Sequence, residues 1–215
     1  MPAREIVLET PNGALHVRSY CPVDLIERMR MDEGIGVFPR YRSIVRGVDT
    51  LVKAASRPNG NVVLAYTDDL CIVGYIVISD PDPTERWGKG DVTGVLEFGV
   101  LEVSRNWRGR NVARRLMEGA FDDETYEDKV IFSTEYSWHW DLDGSGLTKR
   151  EYRDRLFKLL KSFGFSLYPT NEPNILLDPA NMLTVRVGAK ASNEAYLRFH
   201  LKLFEAEVSW AKPLE

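Results

Sequence analysis

The chain has 215 residues, 44% of them apolar and 28% charged, with a formal net charge of −4. That is the composition of a globular chain with one sizeable core, and the acid excess argues against a general nucleic-acid binder, which needs surplus basic surface. The longest apolar runs, such as CIVGYIVI at 71–78, are too short for a membrane span; two cysteines and three scattered histidines suggest neither a disulfide framework nor a metal site.

In chain order, REIVLET and ALHVRSY flank the turn PNG and read as a hairpin over about 4–20. PVDLIERMRM (22–31) and YRSIVRGVDTLVKAA (41–55) read as helices, the second ended by SRPNG. NVVLAYTDD and CIVGYIVIS are strands, followed by a proline- and charge-rich loop at 80–94. VLEFGVLEV at 95–103 is a strand that runs into SRNWRGRNVARRLM, where Val112, Ala113, Leu116, Met117, Ala120 and Phe121 have helical spacing.

An acidic stretch at 122–128 reads as a solvated loop, and KVIFSTEYSWHWD (129–141) as a further strand. On that reading Phe132, Thr134, Tyr136, Trp138 and Trp140 share one face, while Glu135, Ser137, His139 and Asp141 share the other. TKREYRDRLFKLLKSFG carries the clearest helical pattern: Thr148 and Glu151 form a capping box, Tyr152, Leu156, Leu159, Leu160 and Phe163 make a stripe, and Gly164 stops it. FSLYPT and NMLTVRVG are the last strands, and Ser192 caps a terminal helix over about 192–207. The expectation is one α/β (α+β) domain spanning 1–215, with a mixed sheet and helices on both faces. No basic segment followed by an apolar stretch opens the chain, so we expect no secretory signal and a cytoplasmic setting.

SRNWRGRNVARRLM places five arginines in fourteen residues of an acidic chain. Three readings compete: a nucleic-acid stripe, a phosphate cradle and a solvated helix face. A strand entering a helix through such a turn offers unpaired amides at the positive end of the helix dipole, which suits a phosphate. Arg108 and Arg110 would add charge-assisted hydrogen bonds, and Gly109 permits close approach. Neither a P-loop nor a dinucleotide fingerprint is present.

The turn resembles the acyl-CoA signature of the GNAT N-acetyltransferases, Arg/Gln-x-x-Gly-x-Gly/Ala, with Arg108, Asn111 and Ala113 at its first, fourth and last positions. Asn111 departs from the glycine of that signature but tolerates left-handed geometry. IVGYIVI and KSFGF occur where that superfamily has related segments. SDPDPTERW, LEFGVLEVSRNWRG, STEYSWHWDL and DPANMLTVRVG narrow the likeness to the AcuA-type acetoin-utilisation acetyltransferases.

The resemblance implies a GNAT fold: a central mixed, mostly antiparallel twisted sheet, with a V-shaped acyl-CoA cleft between two central parallel strands. It implies transfer of acetyl from acetyl-CoA to a protein lysine, the target being acetyl-CoA synthetase, without metal, nucleic acid or membrane. The general base falls on Glu97; Glu102 is its competitor, placed on the opposite face by alternation unless a bulge intervenes. The amide of Leu101 would polarise the acetyl carbonyl and Val103 would pair with the pantetheine arm, while residues Arg108, Gly109, Arg110, Asn111, Val112 and Ala113 would hold the diphosphate. The tyrosine that serves many GNATs as general acid is replaced by Leu160, and Tyr152 reads as core. His139 and Glu135 are candidate substrate contacts, with a structural hydrogen-bonded pair as the alternative for His139. Arg86 and Trp87 belong either to a docking surface or to a pinned loop. A small-molecule amine acetyltransferase and a non-catalytic acyl-CoA sensor that inhibits its partner are the alternatives for the whole chain.

Overall fold

The computed structural model describes residues 4–10, 13–36, 47–121 and 124–205. Among the described residues nine strands form one sheet: β1 (Glu5–Thr10), β2 (Gly13–Arg18), β3 (Arg30–Met31), β4 (Asn61–Thr67), β5 (Cys71–Ser79), β6 (Val95–Val103), β7 (Val130–Glu135), β8 (Ser166–Tyr168) and β9 (Met182–Val187). The spatial order is β1-β2-β4-β5-β6-β7-β9-β8, with β3 beside β5. All pairs are antiparallel except β3–β5 and β6–β7. This is the mixed, mostly antiparallel sheet with a central parallel pair that the GNAT resemblance implies.

Among the described residues the helices are α1 (Val23–Ile26), α2 (Val48–Ala55), α3 (Val112–Ala120), α4 (Leu142–Ser145), α5 (Lys149–Lys161), α6 (Pro173–Leu176) and α7 (Asn193–Leu201). They cover both faces of the sheet. On one face α3 and α5 bury Ile76, Ile78, Leu96, Phe98 and Ile131 in a core completed by Leu116, Met117 and Leu160. The other face divides in two. Ile26 of α1 and Leu51 of α2 pack over Tyr75 and Leu64, whereas Ala195 and Phe199 of α7 pack with Trp87 over Val95, Phe132 and Val185.

Strand alternation explains this division of faces, and local chemistry explains the ends of the elements. Helix α5 begins at the expected capping box, with the Glu151 amide donating to Thr148 Oγ1 and the Thr148 amide to Glu151 Oε2 at 2.9 Å. It stops before Gly164, whose φ of +86° closes the turn. Ser192 caps α7 as expected, but the helix ends at Leu201; residues 206–207 of the expected helix lie outside the described residues. Pro11 and Asn12 of the hairpin turn and residues 41–46 of the second expected helix also lie outside them.

Three expectations need correction. The segment 22–31 is helical only over Val23–Ile26. Strand β6 begins its pairing with β5 at Gly74, which leaves the same edge of β5 open at Cys71 and Ile72, and Arg30–Met31 fill it in parallel. The segment 129–141 is not one strand: its partner β9 begins at Met182, opposite Glu135, and past that point Ser137–His139 turn as a 3-10 helix. The two-face assignment therefore fails beyond Glu135, and Trp140 and Asp141 are both buried. Finally, the acidic stretch is not merely solvated. Tyr126 enters the core with its hydroxyl on Asn61 Nδ2 at 2.8 Å, and Glu127 pairs with Arg186.

Candidate active site

Strands β6 and β7 pair only over Val95–Glu97 against Val130–Phe132, although β6 continues to Val103 and β7 to Glu135. Beyond that point they separate into a V. The Ser104 amide donates to Val73 O of β5 at 2.8 Å, which sets the phase of β6. Because backbone groups alternate along a strand, the amides of Leu101 and Val103 point away from β5 and into the open cleft. The expected acyl-binding backbone groups thus lie along one wall.

The bulge that the alternation argument allowed for is present. Val77 pairs with Val100 while Ile78 pairs with Phe98, so Gly99 is an extra residue in β6. Its consequence corrects the sequence reading: Glu97 and Glu102 share a face, because they pair with Ser79 and Tyr75, which lie four residues apart on β5. Burial and bonding separate the two acids. Glu102 is 7% exposed and is held by the Tyr75 hydroxyl and by the Gly36 amide at 2.7 Å. Glu97 accepts no hydrogen bond from a described residue and sits at the apex of the V, between the two cores of its face. Burial first, then the charges of Glu85 and Asp82, push its carboxyl up to about 7 against the opposing Arg57. A carboxyl poised there can take a proton near neutral pH.

Arg105–Trp107 form a 3-10 turn between β6 and α3. Two left-handed residues follow, Gly109 at φ +75° and Asn111 at φ +60°, so the asparagine occupies the conformation its side chain permits. The first helical bond runs from the Arg115 amide to Asn111 O at 3.0 Å, leaving the amides of Val112, Ala113 and Arg114 without an acceptor inside the helix. Two positive-φ residues before a bare helix N-terminus form an anion-binding concavity, so the turn fits a diphosphate.

Its arginines are already engaged. Arg105 Nε and Arg108 Nη1 both donate to Asp141 Oδ2, at 2.6 and 2.7 Å, and Arg110 lies over the Trp107 ring. Arg114 and Arg115 pair with Glu118. Asp141 is 1% exposed. Burial raises its carboxyl, but the hydrogen bonds from Arg105, the Gly144 amide and Arg108 outweigh burial and hold it down at about 2. Asp141 thereby joins the arginine turn to the aromatic string at 136–140. Sequence reasoning missed it, because nothing in the spacing links residues 33 and 36 positions apart.

The remaining candidates fall in different places. Glu135 ends β7 on the α3–α5 face, opposite in sense to Glu97, and burial raises its carboxyl despite the Ser133 hydroxyl and the nearby Trp140 indole. His139 packs edge-on against Tyr136 and Trp138, and burial lowers its pKa. Tyr152 is half-buried and stacks on Trp140 at 5.1 Å. Leu160 is fully buried. Of the two readings left open for Arg86 and Trp87, the geometry agrees with the pinned loop: Trp87 is 3% exposed, tilted against Phe132 and stacked on Phe199, and Arg86 is tied to Asn171 Oδ1 at 2.7 Å and to Glu205. Trp87 thus builds the α7 side of the core.

Among the described residues no group of three or more His, Cys, Asp or Glu is arranged to hold a metal ion, and no helix is long and apolar enough to cross a membrane. No protein-family model matches the chain. The acetoin utilization protein AcuA of Bacillus subtilis is 37% identical over 151 residues, 70% of this chain and 71% of that protein. AcuA of Bacillus licheniformis is 33% identical over 193 residues, 89% and 90% of the two chains. The crystal structure of an acetoin utilization protein from Exiguobacterium sibiricum superposes with a TM-score of 0.86 over 94% of both chains, at 30% identity. The chain therefore belongs to the family of the acetoin utilization protein AcuA.

Proposed function

We propose that the chain is an acetyl-CoA-dependent protein lysine N-acetyltransferase whose acceptor is a lysine of acetyl-CoA synthetase. The observation that carries this reading is the splayed β6–β7 pair, with an unbonded carboxyl at its apex and open amides along its wall. Acetyl-CoA supplies the activated thioester; the chain's own groups supply the rest. The amides of residues 109–113 suit its diphosphate, and Arg108 and Arg110 add positive charge beside them. Leu101 N–H faces the cleft where negative charge develops on the acetyl oxygen, and Val103 suits the pantetheine amides.

A lysine of ordinary pKa, about 10.4, is almost wholly cationic at neutral pH, and discharging it costs roughly 4–5 kcal/mol. Asp82 and Glu85, the acids that raise Glu97, attract that cation to the apex, and Glu97 accepts its proton. The amine nitrogen then bonds to the acetyl carbon as the carbon–sulfur bond breaks, coenzyme A leaves as thiolate, and the second proton of the nitrogen passes to that thiolate through solvent. Leu160 can supply no proton to that sulfur.

Incubation with acetyl-CoA and acetyl-CoA synthetase, followed by mass spectrometry, tests the reading: an acetyl increment on one synthetase lysine is expected from the wild type and not from E97Q. Acetylation of small amines alone would move the assignment to small-molecule transfer. Inhibition of the synthetase with no increment would make the chain an acyl-CoA sensor.

A further inference from the structure

We propose that Glu135 is a positioning residue that keeps its own proton at neutral pH and, by donating it to Ser133, fastens β7 to β6 at the apex of the cleft. Ser133 Oγ lies 2.8 Å from Phe98 O and 2.8 Å from Glu135 Oε1. A serine hydroxyl has one hydrogen, and a peptide carbonyl can only accept. Both contacts are hydrogen bonds only when the carboxyl is the donor in one of them, so Glu135 donates to Ser133 and Ser133 donates to Phe98 O.

An ionised Glu135 would claim the serine proton and leave the Phe98 carbonyl facing oxygen lone pairs. Ser133 is 2% exposed, which leaves little room for water to mend that loss. The surroundings agree. No described lysine or arginine pairs with Glu135. From α5 it is faced by Tyr152, beyond which stand Arg108 and Asp141, whose charges act on that phenol. From β9 it is faced by Met182, and from the following turn by the Trp140 indole, which, after the Ser133 hydroxyl, favours the charged form. Burial is the strongest influence and disfavours charge.

The position gives the link its purpose. The parallel ladder ends at Glu97 and Phe132, and the Ser133–Phe98 bond extends the contact by one step before the bulge. The next β6 amide on that side is Leu101, the group assigned above to the acetyl oxygen. Ser133 therefore sets the strand separation beside it. This consequence rests on the acetyl-transfer reading; the proton on Glu135 does not.

Two measurements test the proposal. In infrared difference spectra of wild type against E135Q, with E135L as a second carboxyl-free reference, a protonated carboxylic acid band is expected at pH 7. A band that shows only ionised carboxylate overturns the proposal, whether or not the chain transfers acetyl groups. In calorimetric titrations with acetyl-CoA, wild-type affinity is expected to fall at alkaline pH. E135Q, whose amide still donates to Ser133, should stay flat, and S133A should bind about tenfold more weakly throughout, the loss of one well-placed hydrogen bond. An alkaline fall that persists in E135Q, or an S133A variant that binds like wild type, would sink the positioning role. Absence of acetyl-CoA binding in every protein would instead fall on the reading of the cleft, and the infrared result would still stand.

Discussion

Glu97 and Asp141 show how burial gives two carboxylates opposite tasks. At Glu97 desolvation, with the charges of Glu85 and Asp82, outweighs the opposing Arg57, so the carboxyl is raised to about 7 and can accept a proton; at Asp141 two guanidinium groups and an amide outweigh desolvation, and the carboxyl stays charged. The first contrast predicts a pH–rate profile. On the proposed reading activity needs ionised Glu97, so kcat/KM should rise with pH through a limb near 7, and E97Q should lose that limb along with about 10²–10⁴-fold in rate, measured by steady-state kinetics. The second predicts stability. A carboxyl whose folded pKa is depressed stabilises the fold above its ordinary pKa of about 3.9 and loses that contribution as pH falls through its folded value, about 2. D141N should be about 2 kcal/mol less stable at neutral pH by denaturant unfolding, with the gap closing in acid, and should bind acetyl-CoA more weakly because Arg105 and Arg108 lose their anchor. The family resemblance pointed to Glu97, with Glu102 left as its competitor, and local pattern alone did not choose between them. Asp141 was not, since its partners come from another element.

At the scale of elements, the turn before α3 and the cap of α5 make separable claims. Asn111 sits at φ +60°, where glycine is at ease, asparagine tolerable and a β-branched residue strained. N111G should keep acetyl-CoA affinity and fold stability, whereas N111V should cost about 1–2 kcal/mol in thermal unfolding and weaken binding. The Thr148 cap closes on Glu151 of its own helix. T148A should lower stability by about 1 kcal/mol and leave kcat unchanged, which would separate the helix's structural role from the site's. Both features were readable locally: the capping box from four consecutive residues, the left-handed turn from Arg-Gly-Arg-Asn. The bulge at Gly99 was not, because an extra residue in β6 shows only in its register against β5.

For the whole molecule, a net charge of −4 would, on the proposed function, set the field that an incoming lysine meets, with Asp82 and Glu85 concentrating it at Glu97. The double variant D82N/E85Q should lower kcat/KM for a lysine acceptor, chiefly at low ionic strength, and move the Glu97 limb toward acid; kinetics at two salt concentrations check both. By itself the sequence determined the strands β5 and β6 to the residue, the capped α5 and the phosphate-type turn, since each rests on periodicity or capping within a short window. Only the tertiary structure decided which acid lies free in the cleft, where β7 stops, that Trp87 is core, and that Asp141 gathers the arginines. Those outcomes depend on what each segment meets across the sheet: the length of β9, the pairing register of β5 and the helix above. No local pattern encodes a partner that far away in the chain.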